Sequence, residues 1–475
     1  MTFDYDIAVV GAGAAGLNVA SFMNKAGFKV LLIEREEARV GGDCLNVGCI
    51  PSKALIHAAR EVATAKTSGR WGLTVNGVVD MRRVRAHIER VQGVIREHES
   101  ADYFRGRGID VVIGTAAFSG ERTLRVNGTE YSAKKIVLAT GTTPRELAVP
   151  GVADATIHTN ESIFTLDRLP GRLVVIGGGP IGVELGQAFA MLGSEVSIVS
   201  RDTRLLPRED EEVSAQLQEQ LEERGVHLYF GSTPKEFQGR TRLIVALPGG
   251  AEHQIGYDAC LVAIGREHDF SGMELATAGV GLDERGKLIV NEYLETTNPH
   301  VYAIGDAAGA HQFTHAAELH ASLVLKNLFK PRFLRTPLDT RGMGWVTFTD
   351  PEIATFGRSA ETLTTSGISC ETLRVPFSGE DRAITDENRD GLMKLHVDTK
   401  GTILGGTIAA RGAGEIVGGL MLATTHGMTL EELFERVYPY PTTARITRLA
   451  AQQFVGRKLT PSNTRMLRAL YRLFS

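Results

Sequence analysis

Residues 6–16 read DIAVVGAGAAG, a short apolar run that passes directly into the glycines Gly11, Gly13 and Gly16. A helical stretch follows, and a second apolar run then ends at Glu34. The order strand, glycine turn, helix, strand, acid is typical of a dinucleotide-binding βαβ unit. Its glycines allow a tight turn and the close approach of a pyrophosphate, while the helix N-terminus supplies amide donors. The stretch therefore predicts a dinucleotide site in which Glu34 accepts a hydrogen bond from a ribose hydroxyl.

The same pattern recurs at residues 173–182, LVVIGGGPIG, and is again followed by a helical stretch and an apolar run. A lone glycine motif is weak evidence, but two copies in the same strand–helix context predict two bound dinucleotides. The copies differ at the acid: 23 positions after Gly11 stands Glu34, whereas 23 positions after Gly177 stands Ser200.

Arg201 and Arg204 follow Ser200 in the second copy. A carboxylate at this place would repel a 2′-phosphate, while an arginine can pair with it through charge-assisted hydrogen bonds. The sequence therefore predicts NADPH at the second site. NADH is the alternative, in which both arginines are solvated loop charges.

The segment that carries chemistry is residues 41–53, GGDCLNVGCIPSK, with Cys44 and Cys49 five positions apart. The two cysteines flank a glycine-containing turn that leads into a helix, so their sulfurs can approach bonding distance. A helix terminus and the nearby Lys53 favour the reactive thiolate. A buried inert pair and half of a metal site are the alternatives, but CxxxxC is a poor zinc spacing. The segment predicts a redox-active cysteine pair, and no metal site is predicted.

Composition limits the remaining function classes. The chain has 475 residues, four cysteines and a formal net charge of -4. That cysteine count does not fit a disulfide scaffold, and the charge offers no basic field for nucleic acid. No apolar run reaches the ~18 residues of a membrane-spanning helix, and the N-terminus lacks the pattern of a signal peptide. We therefore expect a cytoplasmic protein.

These motifs resemble those of the class I pyridine nucleotide–disulfide oxidoreductases, the group of glutathione reductase, dihydrolipoamide dehydrogenase and mercuric reductase. The resemblance covers the chain to about residue 455. It rests on VVGAGAAG at 9–16, GGDCLNVGCIPSK at 41–53, VLATGTTP at 137–144, VVIGGGPIGVELG at 174–186, YAIGDAAG at 302–309 and WVTFTDPEIATFG at 345–357.

The resemblance implies an α/β fold with two Rossmann-like dinucleotide-binding domains, for FAD and NAD(P), and a C-terminal α+β dimerisation domain of a homodimer. The predicted boundaries are 1–149 and 268–340 for the two parts of the FAD domain, 150–267 for the NAD(P)H domain and 341–475 for the interface domain, with a basic tail at 457–475.

The family's roles carry over onto matching positions. Cys44 resembles the thiol that exchanges with substrate, and Cys49 the thiol that lies against the flavin. Lys53 resembles the residue that hydrogen-bonds the flavin near N5, Glu184 is its partner beside the nicotinamide, and Asp306 resembles the acid that holds the ribityl chain. The predicted cofactor-binding positions are Gly11, Gly13, Ala15, Gly16, Glu34, Gly42, Lys53, Ala116, Ala139, Thr140, Gly141, Gly177, Gly179, Gly182, Arg201, Arg204, Gly265, Arg266, Gly305, Asp306, Thr314, His315 and Ala316.

The sequence departs from the family at the C-terminal base. The glutathione and lipoamide enzymes carry a histidine and a glutamate in an HPTxxE motif, and the histidine serves the exchanging thiol. Here Tyr440 stands at the histidine position and Arg445 at the glutamate position. A positioned acid/base is worth roughly 10²–10⁴-fold, and a tyrosine, with an ordinary pKa near ~10, is a poor proton acceptor at pH 7. Tyr440 is therefore a predicted catalytic position with altered chemistry, and His426 is the alternative base.

Mercuric reductases also have a tyrosine at this place, since a thiophilic metal ion needs soft thiolates rather than a proton from histidine. They also carry a C-terminal cysteine pair, whereas no cysteine follows Cys370 in this sequence, so an enzyme dedicated to mercury detoxification is not expected. The sequence therefore predicts a mercuric-reductase-like enzyme that passes electrons from NADPH through FAD to Cys44–Cys49 and on to an unassigned disulfide, metal-ion or quinone acceptor. The alternatives are a dihydrolipoamide dehydrogenase with altered proton handling and a flavin-bound redox sensor or docking protein.

Three further features are left open. Asp43 replaces a small hydroxylated residue, and it either raises the pKa of Cys44, contacts a flavin phosphate or faces solvent. Cys260 and Cys370 are predicted to be buried and inert. Residues 457–475 hold five basic residues and no acid, and their apolar residues can share one helical face. This tail either contacts a membrane surface or another protein, or frays in solvent.

Overall fold

The computed structural model describes residues 2–309 and 311–475. The strands, in chain order, are β1 (Tyr5–Val10), β2 (Val30–Glu34), β3 (Asp110–Ile113), β4 (Ala116–Gly120), β5 (Thr123–Val126), β6 (Thr129–Leu138), β7 (Thr143–Pro144), β8 (Ile157–His158), β9 (Arg172–Ile176), β10 (Glu195–Val199), β11 (His227–Tyr229), β12 (Thr233–Phe237), β13 (Arg242–Ala246), β14 (Glu252–Gly256), β15 (Ala259–Val262), β16 (Arg266–Glu267), β17 (Val301–Ala303), β18 (Gly344–Thr347), β19 (Glu352–Gly357), β20 (Glu371–Pro376), β21 (Leu392–Val397) and β22 (Ile403–Ala410).

The α-helices are α1 (Ala14–Lys25), α2 (Gly42–Asn46), α3 (Cys49–Lys66), α4 (Met81–Arg96), α5 (Ala101–Gly106), α6 (Pro180–Leu192), α7 (Glu211–Glu223), α8 (Thr314–Leu328), α9 (Ala360–Thr365), α10 (Asp381–Thr385), α11 (Ala413–Thr425), α12 (Leu430–Phe434), α13 (Ile446–Gly456) and α14 (Pro461–Phe474).

The first sheet is parallel in the order β3-β2-β1-β6-β17, and β5 and β4 extend it from β6 in antiparallel pairing. Its central register pairs Ile7 with Val30 on one side and with Lys135 on the other. β1 and β2 are apolar almost throughout, as expected for parallel strands that are buried on both faces. Ligands of such sheets bind at the carboxyl ends of the strands, which are the ends that carry the glycine turns.

The second parallel sheet has the order β11-β10-β9-β15-β8. β9 and β10 flank α6 in the chain and pair in parallel, so the second glycine motif forms the same strand–turn–helix–strand unit as the first. A three-stranded antiparallel sheet, β12-β13-β14, and the small pair β7–β16 lie in the same compact unit. The predicted α/β fold with two dinucleotide-binding units is confirmed.

The chain divides into two compact units: one runs up to Arg201 and from Arg224 to Leu338, and the other joins Asp202–Glu223 to Asp339–Ser475. The second unit is built on the antiparallel sheet β18-β19-β22-β21-β20, whose core includes Phe356, Leu395 and Ile408. α7 belongs to this unit, where Lys394 binds Asp210 at 2.8 Å and Arg374 binds Glu212 at 2.7 Å. The domain boundaries drawn from the sequence stay a prediction.

No helix within residues 2–309 and 311–475 combines the length and the apolar character that crossing a bilayer requires. The last helix, α14, is amphipathic and has no buried residue. The tail is thus helical from Pro461 to Phe474, while its contacts stay a prediction.

Candidate active site

The first glycine turn has the backbone geometry that a dinucleotide needs. Gly11 has a φ of +105°, and a Cβ at this position would lie 2.3 Å from the carbonyl oxygen of Ala139. A Cβ at Gly16 would lie 2.0 Å from the carbonyl oxygen of Gly11, so helix α1 can pack on β1 only without a side chain there. Both positions therefore require glycine for the turn and the packing that place the α1 N-terminus.

The polar groups around this turn fit FAD. The N-cap of α1, Gly13, has no side-chain capping bond, so the first amides of the helix can serve a phosphate. Glu34 lies at the end of β2, where its carboxylate accepts hydrogen bonds from the amides of Ala12 (2.8 Å) and Arg35 (2.7 Å). The buried hydroxyl of Thr140 has no hydrogen-bond partner within the described chain, which marks a place for a polar group of a ligand.

The other predicted FAD positions lie around the same sheet edge. Ala139 and Ala116 are buried at strand ends, Gly42 packs against Gly13, and Gly305 follows β17. Thr314, His315 and Ala316 form the first turn of α8, whose N-cap Phe313 makes no side-chain capping bond. The remaining predicted positions on these elements are Ala15 at the start of α1 and Gly141 after β6, where φ is +69°.

The two cysteines are free thiols held next to each other by short helices. Cys44 lies within α2 and is half-buried, while Cys49 is the first residue of α3 and is exposed. The Cys44 thiol is hydrogen-bonded to Cys49, and the Sγ atom of Cys49 lies 3.3 Å from the Thr314 hydroxyl. The predicted pair is therefore brought together, and Thr314 joins it through its side-chain hydroxyl.

The two thiols have very different acidities. The hydrogen bond from Cys44 lowers the pKa of Cys49 to about 6 against the opposing effect of burial, and the Thr314 hydroxyl and the Lys53 cation lower this pKa further. The partnership with Cys49 and burial raise the pKa of Cys44 above its ordinary value. Cys49 is therefore a thiolate near neutral pH, and Cys44 is the neutral thiol that donates to it.

This difference predicts a titration in the reduced enzyme. Because the pKa of Cys49 is lowered, its thiolate persists as the pH falls and is lost only near pH 6. With cysteine Cβ carbons labelled with ¹³C, the Cys49 resonance is expected to titrate with its midpoint about there. Thr314→Val should raise that midpoint by about one unit, because a hydrogen bond to the thiolate is lost. A wild-type midpoint near ~8.5, the value of an ordinary thiol, contradicts the assignment.

Lys53 and Glu184 connect the cysteine helix to the second glycine unit. Lys53 lies one helical turn after Cys49 on α3, and its Nζ is 2.8 Å from Oε2 of Glu184 on α6. Lys53 also donates to the Ser52 hydroxyl at 3.3 Å, while Glu184 is buried. The predicted Lys53–Glu184 partnership is present, and it fixes the ammonium group beside the Cys49 thiolate.

Asp43 forms an ion pair with Arg266, which rules out a carboxylate that simply faces solvent. The same guanidinium donates to the Thr142 hydroxyl at 2.8 Å and to the Thr142 carbonyl at 2.6 Å. Thr142 in turn donates to Asp306 at 3.2 Å. Burial raises the pKa of Asp306, and the Arg266 cation opposes that rise. Arg266 thus contacts Asp43 directly and is linked to Asp306 through Thr142, although the two carboxylates lie far apart in sequence.

The second glycine turn repeats the geometry of the first: Gly177 has a φ of +124°, and a Cβ there would lie 2.2 Å from the carbonyl oxygen of Ala263. Gly179 caps α6 without a side-chain hydrogen bond, and Gly182 packs closely on the turn. Gly265, with a φ of +108°, precedes Arg266 in β16. The unit therefore fits a pyrophosphate at the start of α6.

The two arginines predicted to bind a 2′-phosphate have different surroundings. Arg201 is exposed directly after β10 and the buried Ser200. Arg204 belongs to the second unit, where its guanidinium donates to the carbonyl oxygens of Glu209 and Pro207, both at 2.9 Å. Arg204 therefore stabilises its own loop, and the assignment of these arginines to a 2′-phosphate stays a prediction.

Tyr440 and Arg445 lie together in the second unit. Tyr440 is 67% exposed, and the Arg445 guanidinium carbon lies 5.0 Å from the centre of its ring. The two positions predicted to replace a histidine–glutamate pair thus hold an aromatic ring and a cation in contact. His426, the alternative base, is exposed at the end of α11.

Sequence reasoning missed several partnerships. It did not anticipate the Asp43–Arg266 pair, the bridging role of Thr142 or the contact between Tyr440 and Arg445. Only the opposite charges of Asp43 and Arg266 gave a signal, and many charged residues share it. Cys260 is buried as predicted, but the expected burial of Cys370 was wrong, because this thiol is partly exposed before edge strand β20.

Comparisons with known proteins identify the family of the chain. Residues 5–321 match the family model described as pyridine nucleotide-disulphide oxidoreductase, and residues 343–451 match its dimerisation domain. The mercuric reductase of Staphylococcus aureus is 33% identical, with 95% of this chain and 82% of that enzyme aligned. A dihydrolipoyl dehydrogenase of Thermus scotoductus is 34% identical, over 92% of this chain and 95% of that enzyme. The Cu(II) complex of the HOCl-induced flavoprotein disulfide reductase RclA from Escherichia coli superposes with a TM-score of 0.83 at 26% identity, over 95% of this chain and 100% of that chain.

Proposed function

Because the chain belongs to the pyridine nucleotide-disulphide oxidoreductase family, we propose that it uses NADPH to reduce a thiophilic metal ion through the Cys44–Cys49 pair. The family is FAD-dependent, and bound FAD supplies the two-electron relay between nicotinamide and disulfide. The dimerisation-domain match supports a homodimer. The cytoplasmic location stays a prediction.

The observation that carries the choice of acceptor is the Tyr440–Arg445 contact in place of a histidine–glutamate pair. Reduction of a disulfide substrate creates a thiolate leaving group that must be protonated, which is the task of the missing base. A soft metal cation is bound by thiolates, and its reduction creates no thiolate leaving group that a base would have to protonate. The site therefore favours a metal ion over lipoamide or glutathione disulfide.

The residues of the first unit have distinct roles in this scheme. Cys44 and Cys49 would bind the cation as thiolates. Cys49 is already a thiolate near neutral pH, whereas Cys44 would release its proton to solvent as the cation binds. Lys53 holds a positive charge beside Cys49, and Glu184 fixes its orientation. Gly11, Glu34, Thr140 and Asp306 would hold the FAD. Each NADPH gives two electrons and releases one proton. The two electrons reduce one Hg(II) to Hg(0) or two Cu(II) to Cu(I).

Two relatives support this acceptor class: the mercuric reductase of S. aureus and the disulfide reductase of E. coli that forms a Cu(II) complex. A second candidate function is that of a dihydrolipoyl dehydrogenase, which the T. scotoductus relative favours. A flavin-bound redox sensor is the third. Only the first fits both the thiolate pair and the loss of the base.

An acceptor panel tests the proposal. Anaerobic NADPH oxidation by the holoenzyme would be followed with Hg(II), Cu(II), lipoamide, glutathione disulfide, a quinone and dioxygen. We expect Hg(II) or Cu(II) to be reduced at least about tenfold faster than either disulfide, since the proton-transfer contribution is roughly 10²-fold or more. The Cys44→Ser variant measures the background reaction with the metal. Lipoamide turnover equal to metal turnover would favour the dehydrogenase instead.

The NADPH preference rests on Arg201, so Arg201→Glu is expected to raise the KM for NADPH by roughly tenfold. The added carboxylate repels the 2′-phosphate but not the 2′-hydroxyl of NADH. Initial rates with both nucleotides measure the effect. Arg240→Glu, which makes the same charge change on an exposed turn, is the matched control. A clear NADH preference of the unmodified enzyme contradicts the prediction.

A further inference from the structure

Helix α14 lies beyond the part of the chain that matches the family's dimerisation domain, which ends at residue 451. The preceding helix, α13, packs into the core of the second unit through Ile446, Ala450 and Ala451. Arg457 then pairs with Glu371, and Lys458 pairs with Glu431. The segment that leads into α14 is therefore tied to the domain, while α14 itself buries no residue.

The start of α14 is defined by local structure. The Thr460 hydroxyl accepts a hydrogen bond from the amide of Asn463, and Pro461 occupies the first helical position. This is a strong helix-start pattern, so the helix does not depend on packing to begin where it does. Its 14 residues are long enough to present a continuous face.

One face of α14 is apolar and exposed. At 3.6 residues per turn its large apolar side chains fall within a sector of about 160°, and its three arginines fall on the opposite side. Those apolar side chains are between 43% and 82% exposed: Met466, Leu467, Leu470, Tyr471, Leu473 and Phe474.

The opposite face is purely cationic. Arg465, Arg468 and Arg472 carry it, and residues 457–475 contain no acid. Within the described residues none of these three arginines makes an ion pair with a carboxylate. Their charges are therefore available to an anionic partner.

We propose that α14 is a peripheral anchor that binds an anionic lipid surface, with its apolar face in the headgroup–acyl boundary and its arginines among the phosphates. A helix with a wide apolar face, a basic polar face and no acid matches such a surface in both polarity and charge. The long arginine side chains keep their heads at phosphate level while the helix lies in the interface.

A second copy of the chain fits this face less well. Two α14 helices packed through their apolar faces would leave the arginines on their outer sides, where α14 has no acid to pair with them. Anionic lipid supplies the missing negative charge. The anchor is independent of the acceptor proposed for Cys44–Cys49.

Vesicle co-sedimentation of the full-length holoenzyme tests the anchor. Binding to phosphatidylcholine vesicles that contain phosphatidylglycerol is expected to exceed binding to pure phosphatidylcholine by at least about tenfold, and added salt should weaken it. Leu470→Glu should reduce binding to background. The triple variant R465Q/R468Q/R472Q should abolish the preference for anionic lipid.

The matched control is R125Q/R240Q/R285Q, which removes the same charge from exposed positions elsewhere and should bind like the wild type. FAD content and NADPH oxidation confirm that each variant is folded. Absent vesicle binding, or binding that Leu470→Glu leaves unchanged, overturns the proposal. Sedimentation velocity distinguishes lipid from a second copy of the chain as the partner of this face. If Leu470→Glu lowers the mass of the assembly, α14 packs against a second copy.

Discussion

Replacing Cys44 with serine is expected to lower metal-ion reduction by about 10³-fold or more, and replacing Cys49 is expected to do the same. A serine hydroxyl neither forms a disulfide nor ionises near neutral pH, so the pair can no longer be oxidised and reduced. NADPH oxidation with Hg(II) or Cu(II) under anaerobic conditions measures the loss. FAD should remain bound, since the glycine turn, Glu34 and Asp306 are unchanged.

The two variants should differ in their remaining thiol. Cys44→Ser leaves Cys49, and the Thr314 hydroxyl and Lys53 still lower its pKa. Cys49→Ser leaves the half-buried Cys44, whose pKa burial still raises, so it should react more slowly with an alkylating agent at neutral pH.

Cys370→Ser is the control for this pair of variants, because it removes a partly exposed thiol from the second unit and should leave turnover unchanged. Retained metal reduction in both active-site variants would remove the pair from the electron path. Retained turnover only with quinone or dioxygen would mean that electrons leave before they reach the cysteines.

Much of the fold could be predicted because its signals are local. β1, β2, β9 and β10 are apolar at most positions, and the two glycine turns follow β1 and β9. A glycine such as Gly11 is required by its own φ and by one carbonyl oxygen, so a short motif reports it faithfully. The pairing of Cys44 with Cys49 is also local, because the two residues lie on adjacent helices, α2 and α3.

What the sequence did not reveal depends on contacts between distant segments. Asp43 and Arg266 are 223 positions apart, and Thr314 lies 265 positions from Cys49. Nothing near Arg204 indicated that carbonyls of its own loop would occupy its guanidinium. Charge and residue type alone do not decide between a ligand-binding arginine and one that stabilises a loop.

The Tyr440–Arg445 contact could be predicted only in part. The substitution was visible in the sequence, but the contact of ring and guanidinium, 5.0 Å apart, is a property of the folded loop. The ring and the guanidinium therefore hold each other in place, and neither is a ready proton acceptor at neutral pH. Restoring one residue alone should therefore restore little, because a histidine beside Arg445 is disfavoured as a cation.

The double variant Tyr440→His/Arg445→Glu is accordingly expected to raise lipoamide reduction by roughly 10²-fold, at the lower end of the contribution of a positioned acid/base. The glutamate orients the imidazole and stabilises its protonated form, which can then protonate the departing thiolate. Steady-state rates with lipoamide and with Cu(II) measure both reactions in the same preparation. Metal reduction should change little, since it needs no proton from this position.

The pH profile separates a true acid/base from a structural effect. In the double variant, lipoamide turnover should acquire a dependence on a group that titrates near ~6.5, the ordinary range of histidine, while Tyr440→Phe should acquire none. Tyr440→His alone is the matched partial variant and should gain less than the pair, because Arg445 opposes protonation of the new imidazole. If the double variant reduces lipoamide no faster than the wild type, the missing dyad is not what restricts the disulfide reaction. The preference for metal ions would then have to originate at the cysteines themselves, where the low pKa of Cys49 already favours a thiolate ligand.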